Sequence, residues 1–278
     1  MAHRFISRLF RLYCRPMKTL TVSTLNLRGG QARWHERAPL LMDQLAQLRP
    51  DVIGFQEVDV LLDQGNWICE RLNHRALGRG PDRREYRIHH MSNPRERVSL
   101  EALAIMTHLE PVEHEGFDYL IRNRVAHRVR FDLGDGARFD FYNTHLHHEQ
   151  DPAGNAIREE QVRRLLPWVA RHSRGVPYAV AGDFNAFPMT SPVKMIKKRL
   201  RSAHEAAHGD EPDDTIWTPL RTAEVGWRPR IGMVVDYIFV SADVQVVEAC
   251  RGFDRTHPDD PTLSASDHYG LVATLAIG

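Results

Sequence analysis

Cysteine is scarce: Cys14, Cys69 and Cys250 are the only three in 278 residues, and they lie far apart. That spacing offers neither a disulfide framework nor a metal finger, and it suits a reducing compartment, so a cytoplasmic location is expected. Long apolar runs are missing too. None approaches the roughly 20 residues that span a bilayer, and a soluble chain is expected. Neither sign of charge dominates, with 37 Lys and Arg against 36 Asp and Glu. That balance excludes a protein that coats nucleic acid through bulk positive charge, and it leaves room for an enzyme that meets phosphate at one local site. A basic stripe interleaved with aromatics, the pattern that stacks single strands, is also missing; Trp34, Trp67, Trp168, Trp217 and Trp227 are scattered.

What is present reads as one globular domain. With 42% hydrophobic and 26% charged residues the composition is ordinary, and no repeat, low-complexity tract or linker divides residues 19–278. Residues 1–18 stand apart as an N-terminal extension. Phe5, Leu9 and Tyr13 share one helical face with Ile6 and Phe10, while Arg4, Arg8, Arg11 and Arg15 lie mostly elsewhere. A basic amphipathic helix on an anionic membrane would look like this, but a disordered or surface-docked extension ahead of Met17 is the preferred reading. The arginines interrupt any apolar core of a secretory signal.

From Thr19 onward short strand-like runs alternate with helical stretches. Leu20–Leu25 predicts a strand. Leu41, Leu45 and Leu48 recur at helical spacing until Arg49-Pro50-Asp51 stops them, and Val52–Phe55 predicts a buried strand. Ala102–Met106, Val125–Leu133 and Ala137–Leu146 follow as strands, with Gly134-Asp135-Gly136 as a hairpin signal. Asn155–His172 reads as a helix that Pro167 should kink or locally unwind. Tyr178–Ala181 is another short strand, and Ser191-Pro192 fits an N-cap followed by the first helical position. Val234–Val240 and Gly270–Leu275 supply the last strands.

The ends of these strands carry chemistry. Asn26 closes the first, Glu57 the second, and His145 the hairpin strand. Asp183 and Asn185 close the next, Asp236 opens the strand Tyr237–Val240, and Asp267-His268 precede the last. Ionised carboxylates beside buried runs cost several kcal/mol unless compensated, and a divalent cation would compensate several together. Oxygen donors without a Cys or a close His pair point to a hard ion, Mg²⁺ or Mn²⁺, rather than zinc. Singly, each residue has a blander reading: a turn-forming Asn26, a surface Glu57, a core His145, an Asx turn at Asp183–Asn185, a cap at Asp267. Their joint placement is the signal.

In order, Thr24-Leu25-Asn26, Gln56-Glu57-Val58-Asp59, Asn143-Thr144-His145-Leu146, Gly182-Asp183-Phe184-Asn185, Asp236-Tyr237-Ile238-Phe239 and Ser266-Asp267-His268 resemble the signature segments of the endonuclease/exonuclease/phosphatase superfamily. The resemblance covers nearly the whole chain from Thr19. It implies an α/β fold, the four-layer α/β/β/α sandwich of deoxyribonuclease I, made of two mixed sheets with helices outside. It also implies that Glu57 is the main metal ligand, with Asn26 and Asp267 nearby, and that His268 contacts the scissile phosphate while Asp236 orients it. Asp183 would align or deprotonate the attacking water, Asn185 would hold water or phosphate, and His145 would be a second phosphate-contacting histidine. Members commonly carry a basic residue shortly before the Asp-Tyr-Ile-Phe segment; Met233-Val234-Val235 stand there, with Arg230 the nearest candidate.

A metal-dependent phosphoesterase is therefore expected, and a phosphodiesterase or nuclease first. Thr144-His145-Leu146 replaces the Tyr-x-Pro-Asn of abasic-site endonucleases and is nearer the deoxyribonuclease, sphingomyelinase and deadenylase branches. A phospholipid or small-molecule phosphate hydrolase is the alternative, and a non-catalytic binding member is disfavoured by the intact Glu57, Asp183, Asn185 and His268. The substrate is nucleic acid or phospholipid, and no obligate protein partner is implied beyond a monomer. Two basic clusters bear on this choice: Lys194, Lys197, Lys198 and Arg201 at helical spacing, and Arg79, Arg83, Arg84 and Arg87 in a loop. Either could track an anionic surface; a solvated face is the plainer reading.

Overall fold

The opening β-α-β unit is built as its pattern requires. Strand β1 (Lys18–Asn26) leads through helix α1 (Trp34–Leu48) to β2 (Val52–Asp59), and β1 and β2 run parallel, with Val22 opposite Val52 and Asn26 opposite Gln56. This computed structural model describes residues 17–76, 84–96 and 99–278. Residues 1–16 of the N-terminal extension, and Arg79 and Arg83, lie outside the described residues.

The remaining elements are α2 (Gln64–Ala76), β3 (Arg87–Met91), β4 (Glu101–Thr107), β5 (Pro111–Asp118), β6 (Val125–Gly134), β7 (Ala137–His145), α3 (Pro152–His172), β8 (Tyr178–Asp183), α4 (Ser191–Lys197), β9 (Arg201–Ser202), α5 (Ala203–His208), α6 (Pro219–Val225), β10 (Asp236–Val240), β11 (Val244–Gly252), β12 (Thr256–His257), β13 (Asp260–Ser264) and β14 (Gly270–Ile277). One six-stranded sheet has the order β11-β14-β1-β2-β4-β3, the other β5-β6-β7-β8-β10-β9, and β12 and β13 form a separate ribbon.

Side chains alternate across a strand, and the central strands β1, β2, β7, β8 and β10 are covered on both faces, so they read as nearly continuous apolar runs. Phe139 and Phe141 of β7, Ala179 and Ala181 of β8 and Ile238 and Val240 of β10 turn inward to meet Val22, Val52, Ile105 and Leu275 of the other sheet. Their neighbours Tyr142, Val180 and Phe239 turn outward onto Val162 and Leu165 of α3 and Val193 and Ile196 of α4. On the far side Ile53 and Phe55 pack on Leu41 and Leu45 of α1 and Ile68 and Leu72 of α2. The result is the expected four-layer α/β/β/α sandwich of two mixed sheets. Among the described residues no helix is long and apolar enough to cross a membrane.

Several local expectations need correction. Helix α3 continues across Pro167 without interruption; the missing N–H leaves the Arg163 carbonyl without its helical donor, and packing of Val162, Leu165, Trp168 and Val169 holds the element together. The cap of α4 is Thr190, not Ser191, because the Ser191 hydroxyl is engaged by Glu159 and Asn155 of α3. The four basic residues near α4 do not form one helical face. The helix ends at Lys197, whose ammonium pairs with Glu205 and Glu211, while Arg201 lies in β9 and donates to the Val244 carbonyl. Arg84 and Arg87 are likewise paired, with Asp51 and Glu110.

Asp51 is a stability anchor between sheet and loop. Its carboxylate accepts from the Thr21 N–H at 2.6 Å, the His108 ring at 2.7 Å and Arg84 at 3.0 Å. Burial works against its charge, but the His108 and Thr21 hydrogen bonds and Arg84 outweigh it and hold the carboxyl below the usual carboxylate range. A depressed folded pKa stabilises above the unfolded value and is lost as pH falls through the folded one. Asp51→Asn is expected to cost about 1–3 kcal/mol near neutral pH, and the gap should shrink on going from about pH 7 to about pH 3.5. Urea unfolding of both proteins measures it; an equal gap at the two pH values would contradict the charge argument.

Candidate active site

The two sheets deliver their polar strand ends to one side of the sandwich. In the first sheet β1 brings Asn26, and a register shift between Phe55 and Val58 on β2 frees Glu57 from the ladder. Such a bulge re-aims a side chain, and Glu57 sits at φ 51°, a left-handed value that non-glycine residues seldom adopt. In the second sheet the register sets His145 beside Asp183 and Asp183 beside Asp236. Two glycines permit this closeness. A Cβ on Gly182, at φ 140°, would stand 1.9 Å from the Thr144 carbonyl, and one on Gly54 would stand 2.8 Å from the Asn143 amide carbon. That amide donates to the Phe55 and Ala104 carbonyls and accepts from Gln56, locking the sheets together beneath the site.

Asp267 and His268 are placed by the loop before β14. Ser266 Oγ donates to the Asn26 carbonyl at 2.6 Å. Fully buried Arg37 donates to the Gly29 carbonyl at 2.8 Å and the Ala265 carbonyl at 3.0 Å, fastening the same loop to the β1–α1 connection.

All eight residues singled out from the sequence come to this end of the sandwich. Glu57, His145, Asp183, Asn185, Asp267 and His268 line a cleft of about 540 Å³ with further walls from Arg28, Arg124, Trp217 and Arg221, and Asn26 and Asp236 stand behind it, bonded to Asp183 and His268. The donor atoms of Glu57, His145 and Asp183 lie within 4.8 Å of one another, as do those of Asp183, Asp236 and His268. Asp183 is common to both groups. Its carboxylate accepts from the Asn185 N–H at 2.8 Å and from Asn26 Nδ2 at 3.1 Å. His268 Nδ1 meets Asp236 Oδ2 at 2.9 Å. The Asn185 side chain donates to the Leu146 carbonyl at 3.2 Å.

Two of the residues expected as metal ligands carry further contacts. Asn26 turns its amide nitrogen to Glu57 Oε1, at 2.9 Å, and its oxygen takes the Arg28 N–H at 2.9 Å, so that N–H orients the amide as a donor to the carboxylates. Asp267 stands apart from both donor groups; its Oδ2 is held by Arg28 at 2.8 Å and Arg221 at 3.0 Å. These arginines, with Arg124, are what the sequence reading missed. Arg221 from α6 brings positive charge to the edge where Arg230 was the nearest candidate, and only tertiary contact could reveal it. Arg124 Nη1 lies 3.0 Å from His145 Nδ1. Arginine only donates, so His145 Nδ1 accepts and Nε2 carries the ring proton. That N–H points toward Asp183, at 3.5 Å, and Glu57, at 3.9 Å.

Electrostatics favour a cation among these acids. Burial, then the Asp236 charge, push the Asp183 carboxyl upward against the pull of His268, Asn185 and Asn26. Burial alone would hold His268 neutral, yet the Asp236 and Asp267 charges and the Asp236 hydrogen bond push it up to about 10. His145 is the opposite case: burial, then Arg124 and His268, hold it well below the ordinary imidazole value. Asp236 Oδ1 is buried with no hydrogen-bond partner. A divalent ion fits this donor set: Glu57 and Asp183 offer oxygens to a hard cation, and the amide of Asn26, which donates to both, brings no charge of its own.

Fold and site together place the chain among the α/β sandwiches of deoxyribonuclease I type. The chain belongs to the Endonuclease/Exonuclease/phosphatase family, whose model matches residues 23–268. It is 26% identical over 282 residues to Nocturnin of Drosophila melanogaster, covering 88% of this chain and 42% of that protein, so it spans about two fifths of that relative's length. Among solved structures it resembles truncated Caenorhabditis elegans TDP2, with a TM-score of 0.73, 18% identity and 92% and 97% of the two chains covered. It also resembles the human Nocturnin catalytic domain with bound sulfate anion, with a TM-score of 0.71, 21% identity and 95% and 97% covered. At these identities the likeness to solved structures is one of fold.

Proposed function

We propose that the chain is a phosphodiesterase of nuclease type that works with Mg²⁺ or Mn²⁺. The observation that carries this reading is the convergence of Glu57, His145, Asp183 and His268 in one cleft walled by three arginines, with Asp236 bonded behind His268. Guanidinium groups suit phosphate oxygens, and a relative of this fold holds a sulfate, a tetrahedral oxyanion. Glu57 is the residue that would hold the ion, aided by Asp183, with Asn26 fixing both carboxylates. When bound, the ion supplies neutralising charge to the phosphate and stabilises the leaving oxygen. Asp183 aligns the attacking water and takes its proton, positioned by the Asn185 N–H. Asn185 flanks that water, and the His145 Nε2–H donates to a non-bridging phosphate oxygen. His268, charged by Asp236, faces the oxygens on which negative charge grows. Asp267 keeps Arg28 and Arg221 at the rim.

A phospholipid substrate is the second reading, supported by exposed apolar side chains around Leu100, which lines a groove with Glu57 and His145. Val60, Leu61, Leu62 and Leu100 are exposed, and the Val60 N–H bonds the Leu100 carbonyl at 3.1 Å. A panel of plasmid DNA, RNA, sphingomyelin vesicles, inositol phosphates and bis-p-nitrophenyl phosphate, each with Mg²⁺, separates the two. Cleavage of DNA or RNA far above the others is the expected outcome. Turnover confined to sphingomyelin would sink the nuclease reading.

A further inference from the structure

Beyond the apolar inter-sheet core and the Asn143–Gln56 network, a further polar cluster lies at the edge where β3 of one sheet faces β5 and β6 of the other. Three imidazoles meet there. The ring centroids of His89 and His114 are 5.2 Å apart, and those of His114 and His127 are 4.7 Å apart. Register places them on the inner faces. His89 lies opposite Ile105, an inter-sheet core residue, and His127 lies opposite Asn143, whose amide reaches the Phe55 carbonyl of the other sheet.

The cluster's polar atoms are incompletely matched. His114 Nε2 and His127 Nε2 stand 2.6 Å apart and share a single proton. His127 is wholly buried, yet its Nδ1 has no partner, and neither has the buried Nε2 of His89. Burial first of all holds all three rings below the ordinary imidazole value, in the neutral form that coordinates metals. A soft atom adjoins them: a Cβ on Gly116 would lie 2.3 Å from Met91 Sδ, and Gly116 is the residue paired with His127. Neutral imidazoles with a thioether are a donor set for borderline and soft first-row cations, unlike the oxygen-rich cleft.

We propose that His89, His114 and His127, with Met91 alongside, form a second metal site for a zinc- or copper-class ion, separate from the catalytic cleft. The rings are not yet convergent in the way of the cleft's two donor groups. Metal–nitrogen bonds of about 2.0–2.1 Å also need the two Nε2 atoms farther apart than they stand. His114 supplies the movement, since it is exposed and sits on edge strand β5. As the ion enters, the shared proton passes to the Nδ1 of the ring that carried it, so both rings remain neutral. Bound there, the ion would clip β3 to β5 and β6 and tie the edges of the two sheets together.

The test uses the full chain carrying Glu57→Ala, which weakens the cleft as a competing site. After EDTA treatment and its removal, Zn²⁺ is titrated calorimetrically, and Co²⁺ is added separately to read its visible absorption. One equivalent should bind, with a Co²⁺ spectrum of nitrogen-rich coordination. Adding His114→Ala, at an exposed position where folding should survive, should weaken Zn²⁺ at least about tenfold and abolish that spectrum; His89→Ala should do the same. In the otherwise native chain, His114→Ala should leave Mg²⁺-dependent hydrolysis intact. Unchanged stoichiometry and affinity in both histidine variants, or no Zn²⁺ uptake before they are introduced, would overturn the proposal. Neither result bears on the phosphoesterase reading.

Discussion

His268→Ala is expected to lower kcat by about a hundredfold to ten-thousandfold while changing KM far less. The imidazole lies in the cleft with Nδ1 on Asp236 Oδ2 at 2.9 Å, which leaves Nε2 for the substrate. Its charge counts most as negative charge accumulates on the phosphate oxygens, so its removal acts on the transition state rather than on ground-state binding. Asp236→Asn should fall between wild type and His268→Ala, because the ring stays but loses its charged partner. Steady-state kinetics on one soluble ester decides the matter. A rise in KM alone, with kcat unchanged, would make His268 a binding residue and remove the centre of the mechanism.

Glu57→Ala should have the second large effect, on metal dependence. Loss of partners that merely orient metal ligands costs about ten- to a hundredfold in metal affinity or activity; loss of a carboxylate ligand itself should exceed that. The fold should persist, because Glu57 is partly exposed and its direct hydrogen bond is from Asn26. Mg²⁺ titration of the rate, paired with a melting curve, measures both. An unchanged Mg²⁺ requirement in the variant would move the ion elsewhere.

The sandwich and the position of its site were legible because both rest on local signals. Apolar runs mark β1, β2, β7, β8 and β10, and polar residues at their ends mark where the sheets meet solvent. What escaped depends on distant contacts. Strand β5 reads Val-Glu-His-Glu-Gly, too polar for a buried strand, and is an exposed edge strand beside β6. The motifs mark Asn26 and Asp267, but not the Arg28 N–H and the guanidinium groups of Arg28 and Arg221 that set how they face. The Arg28–Asp267 and Arg221–Asp267 pairs join residues 239 and 46 positions apart. Nothing in Arg124 announces that it fixes the His145 tautomer, since that needs β7 already folded beside the loop that carries it.

The acids of this cleft are expected to hydrolyse phosphate esters only with a divalent ion among them. Hydrolysis of bis-p-nitrophenyl phosphate followed with Mg²⁺, then with excess EDTA, then with Mg²⁺ restored, tests it most directly. The expected trace rises, stops and resumes. A rate that continues unchanged through excess EDTA would contradict it.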